Sequence, residues 1–401
     1  MSVKAFLVNI KHHLEANVTK IPLRFATGNQ SADMDSVISA ISYSYFSYIK
    51  NSNAILIPLI NIPRDDFKLR RDIKLLLERH SITEDLLYFV EDFESYSKVA
   101  SSIELVLVDH CNIQGSALNN AFKDGKVKVV GIIDHHEDEN AFLDANPRII
   151  HSNGSCSALV FNYWYSQFDD KTVLKQNEII ELLLGPLLID TSNMTQKVEE
   201  GDEDAIKTYK QLLNPDTITT FSSSQEKTDS DPFSGFYSEL KKAKKDLHGF
   251  SLYDILRKDY KQFTFGSNDT VVGFSSVGKS YFWLFKEYSP EHFKKALNQM
   301  LQTLKLDLLV VTTSYTTSSG KYTREFSYYY DLKNAKFDKL YKLADPKLKL
   351  NLDIYKGTKF ADKLNEVNSS GHKLEIFNQV NIKASRKQVV PVIKDVLEEH
   401  D

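Results

Sequence analysis

KVKVVGIIDHH, Lys126 to His136, is an apolar, β-branched run that stops on an acid and two adjacent histidines. Val127, Val129, Val130, Ile132 and Ile133 suit a strand covered on both faces, as in a parallel α/β sheet. In such sheets ligands bind beyond the carboxyl ends of the strands, so Asp134, His135 and His136 are expected at the mouth of a site.

Outward from this run, the same pattern recurs. LRFATGN (Leu23 to Asn29) reads as a strand entering a loop, and Asp33 to Lys50 has helical spacing through Val37, Ile38, Ile41 and Tyr45. AILIPLI (Ala54 to Ile60) reads as a second strand and Arg64 to His80 as a charged helix. IELVLVD ends on Asp109. RIIH (Arg148 to His151) is a further short strand, followed by a helix through Tyr165, and the apolar segment Glu178 to Leu188 delivers Asp190. Strands alternating with helices predict a doubly wound, mostly parallel sheet.

Residues 215–235 (PDTITTFSSSQEKTDSDPFSG) lack apolar periodicity and read as a linker. The expected division is a catalytic domain over 1–214, a linker over 215–235 and a smaller mixed α/β domain over 236–401. Strands are expected there near Thr270 to Val277, Leu306 to Thr313 and Thr323 to Tyr330, with helices near Phe236 to Leu247 and Pro290 to Leu304.

At 401 residues and 42% hydrophobic, the chain is long enough for two cores and too apolar for a disordered protein. Two cysteines, Cys111 and Cys156, make no disulfide framework and fit a reducing compartment. No apolar run is long enough to span a membrane, and the first 20 residues read as an amphipathic helix rather than a leader. A cytoplasmic protein is expected, with a mitochondrial fraction as the weaker alternative. The net charge of -4 hides an asymmetry. Residues 1–214 hold 21 basic and 30 acidic side chains, and the remainder hold 29 and 24. An acidic half beside a basic half suits metal ions meeting a polyanion.

The acids and histidines fall into four clusters: Asp33 and Asp35 in SADMDS, Asp109 in LVDHC, Asp134 to His136 in IIDHH, and Asp190 in LIDTSN. Oxygen donors with one or two imidazoles suit Mg²⁺ or Mn²⁺ better than zinc, and two such ions can activate a water for attack on phosphorus. Each acid has a structural rival as a helix cap or strand-end turn residue. All four standing at element ends is what favours a site.

The order of these clusters resembles the DHH phosphoesterase superfamily, named for the triplet found here at Asp134, His135 and His136. Its members include manganese-dependent pyrophosphatases, nucleases and fungal exopolyphosphatases. The resemblance implies an active site in a cleft between two domains and two divalent ions, Mg²⁺ first, with Mn²⁺ or Co²⁺ as substitutes. It implies that Asp33 and Asp109 hold one ion and Asp35, Asp109, His135 and Asp190 the other. His136 would face the substrate and Asp134 would act beside the metals, while His110 and Cys111 receive no role. Pyrophosphatases of the superfamily carry histidine where this chain has Asn29, an amide oxygen that would bind the first ion more loosely.

IPRDDFKLRRD (Ile62 to Asp72), NGSCSALVFNYWY (Asn153 to Tyr165), LIDTSNMTQKVEE (Leu188 to Glu200), KDYKQF (Lys258 to Phe263) and SRKQVVP (Ser385 to Pro391) are similar to the fungal cytosolic exopolyphosphatases. By the same resemblance Lys261, Arg386 and Lys387 would grip phosphates. The expected activity is hydrolysis of the terminal phosphate of inorganic polyphosphate by a monomer that uses neither membrane nor nucleic acid. A pyrophosphatase, a nucleotide or oligonucleotide phosphodiesterase, and a non-catalytic scaffold are the alternatives.

Overall fold

The computed structural model describes residues 1–17, 22–214, 233–351, 360–368 and 371–399. It divides into two compact units, Met1–Asp246 and Leu247–Asp401. Of the expected linker, 215–232 lies outside the described residues.

The first unit holds five strands: β1 (Leu23–Thr27), β2 (Ile57–Leu59), β3 (Ile103–Val108), β4 (Val127–Asp134) and β5 (Arg148–Ile150). They lie parallel in the order β2-β1-β3-β4-β5. Chain order reverses between β1 and β3, and the crevice at the carboxyl ends of those two strands is where open α/β sheets bind ligands. Along β4 the pairing with β3 slips at Leu105/Val106, leaving Val130 without an opposite residue. Beyond this bulge Gly131 to Asp134 are all buried, whereas Lys128 before it is exposed. A bulge re-aims the side chains that follow it, here the residues entering the site.

The helices of this unit are α1 (Val3–Asn17), α2 (Met34–Lys50), α3 (Arg71–Glu78), α4 (Val90–Val99), α5 (Ser116–Lys123), α6 (Cys156–Gln167), α7 (Glu178–Asp190), α8 (Glu200–Leu212) and α9 (Ser234–Lys245). In α1 the buried Val3, Phe6, Leu7, Ile10 and Leu14 make the apolar stripe of an amphipathic helix. The expected Arg64 to His80 helix is broken. Arg64–Leu69 winds as a 3-10 turn, Arg70 leaves helical geometry, and α3 starts at Arg71. Arg70 is buried and donates to the carbonyls of Ser31 (2.7 Å) and Asp66 (3.2 Å), bonds a continuous helix would not place.

Helix α9 was expected in the second domain but packs with α3 and α7. Its buried residues are Phe236 and Leu240, and Arg79, just after α3, bonds Glu239 (3.2 Å) while lying over the Phe236 ring. The boundary between units therefore follows α9.

The second unit is a six-stranded sheet. Its strands are β6 (Tyr260–Phe265), β7 (Thr270–Val277), β8 (Leu308–Thr316), β9 (Tyr322–Asp331), β10 (Leu350–Asn351) and β11 (His372–Gln379), in the order β10-β11-β9-β8-β7-β6. Among the described strands only the β7–β8 pair is parallel, so the sheet is mixed, as expected. Along β8, Leu308 and Val310 enter one core and Leu309 and Val311 the other, the period-two alternation of a sheet covered on both faces. Covering helices are α10 (Leu252–Lys258), α11 (Tyr281–Glu287), α12 (Pro290–Thr303), α13 (Leu340–Leu348), α14 (Ala361–Val367) and α15 (Arg386–Glu398).

Candidate metal and catalytic centre

Four elements of the first unit end in one neighbourhood. Asp109 follows β3 with φ 61°, a left-handed turn that aspartate tolerates better than most residues. Its carboxylate is buried. Oδ2 accepts from Ser36 Oγ (2.5 Å) and Asn29 Nδ2 (2.7 Å), while Oδ1 faces His135 Nε2 (3.1 Å) and His136 Nδ1 (3.7 Å). Among the described residues, Asp109, His135 and His136 bring one ligand atom each within 4.8 Å of one another. Burial alone would raise the Asp109 carboxyl, but the hydrogen bond from His135 and the charges of His136 and His135 hold it well below the ordinary range.

Asp35, in the first turn of α2, is buried and held by three donors: Ser155 Oγ (2.7 Å), the Cys156 amide (2.6 Å) and the Ser157 amide (2.8 Å). His135 Nε2 stands 3.9 Å from its Oδ2. Burial, then the charge of Asp109, pushes this carboxyl up. Asp190 ends α7, and burial with the nearby charges of Asp35, Asp33 and Asp109 raises it well above its usual value, against the opposing pull of Lys244. Three non-glycine residues in left-handed geometry, Ser192, Asn193 and Met194, turn the chain away immediately afterwards. Asp33 caps α2, accepting from the Ser36 amide at 3.0 Å. It is thus both the helix cap and a member of the acidic group.

The histidines are oriented by different partners. His135 Nδ1 donates to the Asn153 carbonyl at 2.9 Å, which aims Nε2 at Asp109 and Asp35; Nε2 bonds the Asp109 carboxylate when protonated and offers a lone pair to a cation when the ring is neutral. His136 Nδ1 lies 2.7 Å from Asp134 Oδ1, which also accepts from the His135 amide at 2.8 Å. Asp134 is fully buried, which raises its carboxyl, yet the hydrogen bond and charge of His136 together with the charge of His110 outweigh burial and keep it low. Its Oδ2 has no hydrogen-bond partner.

Asn29, expected near the first ion, stands beside Asp109. Its Oδ1 accepts from the Ser31 amide (2.9 Å) and hydroxyl (2.6 Å), and its Nδ2 donates to the Asp109 carboxylate. The amide oxygen expected at a metal is turned to Ser31, so Asn29 steadies Asp109 across the β1–β3 crevice. Ser36, Ser155, Ser157 and Asn153 were not singled out from the sequence as site residues. Their signal was adjacency: Ser36 follows Asp35 in DMDS, and the other three share NGSCS.

In the second unit, Lys261 lies on β6 and Arg386 and Lys387 open α15. Arg386 donates to the Asp259 carbonyl (3.0 Å) and carboxylate (2.7 Å), drawing the start of α15 to the segment just before Lys261. Lys387 is exposed. The three basic residues thus belong to one end of that unit. Cys111 and Cys156 are both free and buried.

Comparison with known proteins agrees with this arrangement. Residues 25–186 match the DHH family, N-terminal domain, and 238–396 match the DHHA2 domain. A Schizosaccharomyces pombe protein named "Putative exopolyphosphatase" is 33% identical over 382 residues, covering 92% of this chain and 90% of its own. Human "Exopolyphosphatase PRUNE1" is 25% identical, covering 94% and 76%. A solved Methanococcus jannaschii structure, described as a "putative family II inorganic pyrophosphatase", superposes with TM-score 0.57 at 19% identity, covering 93% and 99% of the two chains. The acid and histidine set, the parallel sheet that carries it and these matches along the whole chain make this protein a member of the DHH family, with a DHHA2 domain following its DHH domain.

Proposed function

We infer that the protein is an exopolyphosphatase, a metal-dependent hydrolase that removes the terminal phosphate of inorganic polyphosphate. The observation that carries the chemistry is the meeting of Asp109 with His135 and His136, near Asp35 and Asp190, whose carboxyls are pushed up by burial first and by the neighbouring acids second. Such a group is stable at neutral pH only when cations or protons neutralise it. The substrate rests on the relatives, whose names specify exopolyphosphatase over nearly the full chain.

In this reading Asp35, Asp109, His135 and Asp190 hold one divalent cation and Asp33 with Asp109 a second. Carboxylates with a single imidazole favour Mg²⁺, with Mn²⁺ or Co²⁺ as substitutes. When bound, such a pair supplies an acidified water and positive charge for the phosphoryl oxygens. The protein's own residues do the rest. Asp134 accepts the Nδ1–H of His136, and in the imidazolium form of that ring the Nε2 proton is the one passed to the departing phosphate oxygen, leaving His136 neutral. Lys261, Arg386 and Lys387 bind the phosphates of the chain and offset their charge.

The test is phosphate release by purified protein in Mg²⁺ from long polyphosphate, triphosphate, pyrophosphate, a cyclic nucleotide and single-stranded DNA. Release from long polyphosphate is expected. Turnover confined to pyrophosphate, the activity named for a Methanothrix thermoacetophila relative 23% identical over 292 residues, would overturn the assignment.

A further inference from the structure

We propose that Asp202, a buried carboxylate on α8 outside the acid and histidine cluster, is the positioning residue that holds the 153–155 loop against Asp35 and His135. The inference rests on the reading of Asp35 and His135 as metal ligands.

Asp202 is fully buried and accepts four hydrogen bonds. Oδ1 takes Asn153 Nδ2 (2.8 Å) and the Ser155 amide (3.1 Å); Oδ2 takes the Gly154 amide (2.7 Å) and the Glu199 amide (2.9 Å). Only the last is the capping bond that α8 itself needs. The other three run to one short loop. That loop faces the site with two arms: the Asn153 carbonyl takes the Nδ1 of His135, and Ser155 Oγ donates to Asp35.

The loop has no room to settle otherwise. A Cβ at Gly154 would lie 2.8 Å from Asp202 Oδ2, 2.6 Å from the Lys197 carbonyl and 2.6 Å from Thr191 Cγ2, the residue after Asp190. One carboxylate thus sets the tautomer of His135 and the orientation of Asp35 from a position that touches neither substrate nor ion. Loss of a partner of this kind typically costs about 10- to 100-fold in metal affinity.

The experiment compares the wild-type full chain with Asp202→Asn and Asn153→Ala. The asparagine oxygen replaces only part of the acceptor capacity, and its NH₂ group faces backbone donors. Mn²⁺ affinity is measured by calorimetry, and the His135 Nδ1–H resonance by NMR in metal-free protein. Asp202→Asn is expected to weaken Mn²⁺ binding about 10- to 100-fold and to displace the His135 resonance, with a smaller effect from Asn153→Ala. A lowered melting temperature with Mn²⁺ affinity and the resonance unchanged would reduce Asp202 to a helix cap and overturn the proposal. Should Asp202→Asn not fold, Asn153→Ala decides by the same two readouts. Failure of the wild type to hydrolyse polyphosphate would remove the functional reading alone, because the resonance is read without metal or substrate.

Discussion

At the scale of single residues, the centre separates groups that meet the substrate from groups that aim them. The proposed mechanism makes His136 the proton donor and Asp134 its support. His136→Ala should therefore lower kcat for polyphosphate by about 10²- to 10⁴-fold, with a smaller loss for Asp134→Asn, in steady-state assays at saturating Mg²⁺. Equal activity in His136→Ala and wild type would remove His136 from the mechanism. The acidic group also predicts a pH dependence. The Asp35 carboxyl, 3.8 when unperturbed, is raised to about 6 by burial and by Asp109, and Asp190 shifts the same way. Without metal, the stability these groups contribute is present below the ordinary carboxylate range and is lost as pH rises through the folded values. Asp109 shifts oppositely, so its contribution is lost only in stronger acid and does not change across this window. Cations replace those protons. Saturating Mg²⁺ should thus raise the melting temperature more at about pH 7.5 than at about pH 5.5, measured by scanning calorimetry. A larger gain at the acid pH would contradict the carboxylate cage.

At the scale of elements, the site depends on how closely β1 approaches α2. A Cβ at Gly28 would lie 2.5 Å from Ser36 Cβ and 2.8 Å from the Ser36 carbonyl oxygen. Gly28→Ala must push the first turn of α2 away from β1, and that turn carries Asp33, Asp35 and Ser36. Overpacking of this kind costs about 1–3 kcal/mol. The expected result is a lower midpoint in urea together with weaker Mg²⁺ binding; a stability loss with metal affinity unchanged would show that α2 moves without disturbing its carboxylates. The bulge at Val130 acts on the neighbouring element, changing β4 from a strand with one exposed residue into one buried through to Asp134.

At the scale of the whole molecule, the division of labour follows charge. The first unit collects the carboxylates and the second presents Lys261, Arg386 and Lys387. Replacing Lys387, exposed and outside the Arg386–Asp259 pair, by alanine should raise KM for polyphosphate with a lesser change in kcat, and steepen neither melting nor metal binding. Because the proposed contact is to a polyanion, KM of the wild type should climb with ionic strength more steeply than that of Lys387→Ala. Indistinguishable salt profiles would exclude Lys387 from substrate binding.

The sequence by itself determined the parallel sheet, the strand that ends in Asp134, the helix carrying Asp35, and the mixed second sheet, while the apolar segment before Asp190 was legible as buried but not as a helix. Those features depend on periodicity and on end signals read from near neighbours. Only the tertiary structure decided which partner each polar group takes. Asn29 was legible as a residue near the first acid, but its amide turns to Asp109, 80 positions away, once β1 and β3 become neighbours. Ser155 reaches Asp35 across 120 positions in the same way. The 234–245 helix was likewise legible as a helix, while its unit was set by the surfaces of α3 and α7 that Phe236 and Leu240 cover. Hydrogen-bond direction and packing partners are properties of strand order and helix placement, which no local pattern encodes.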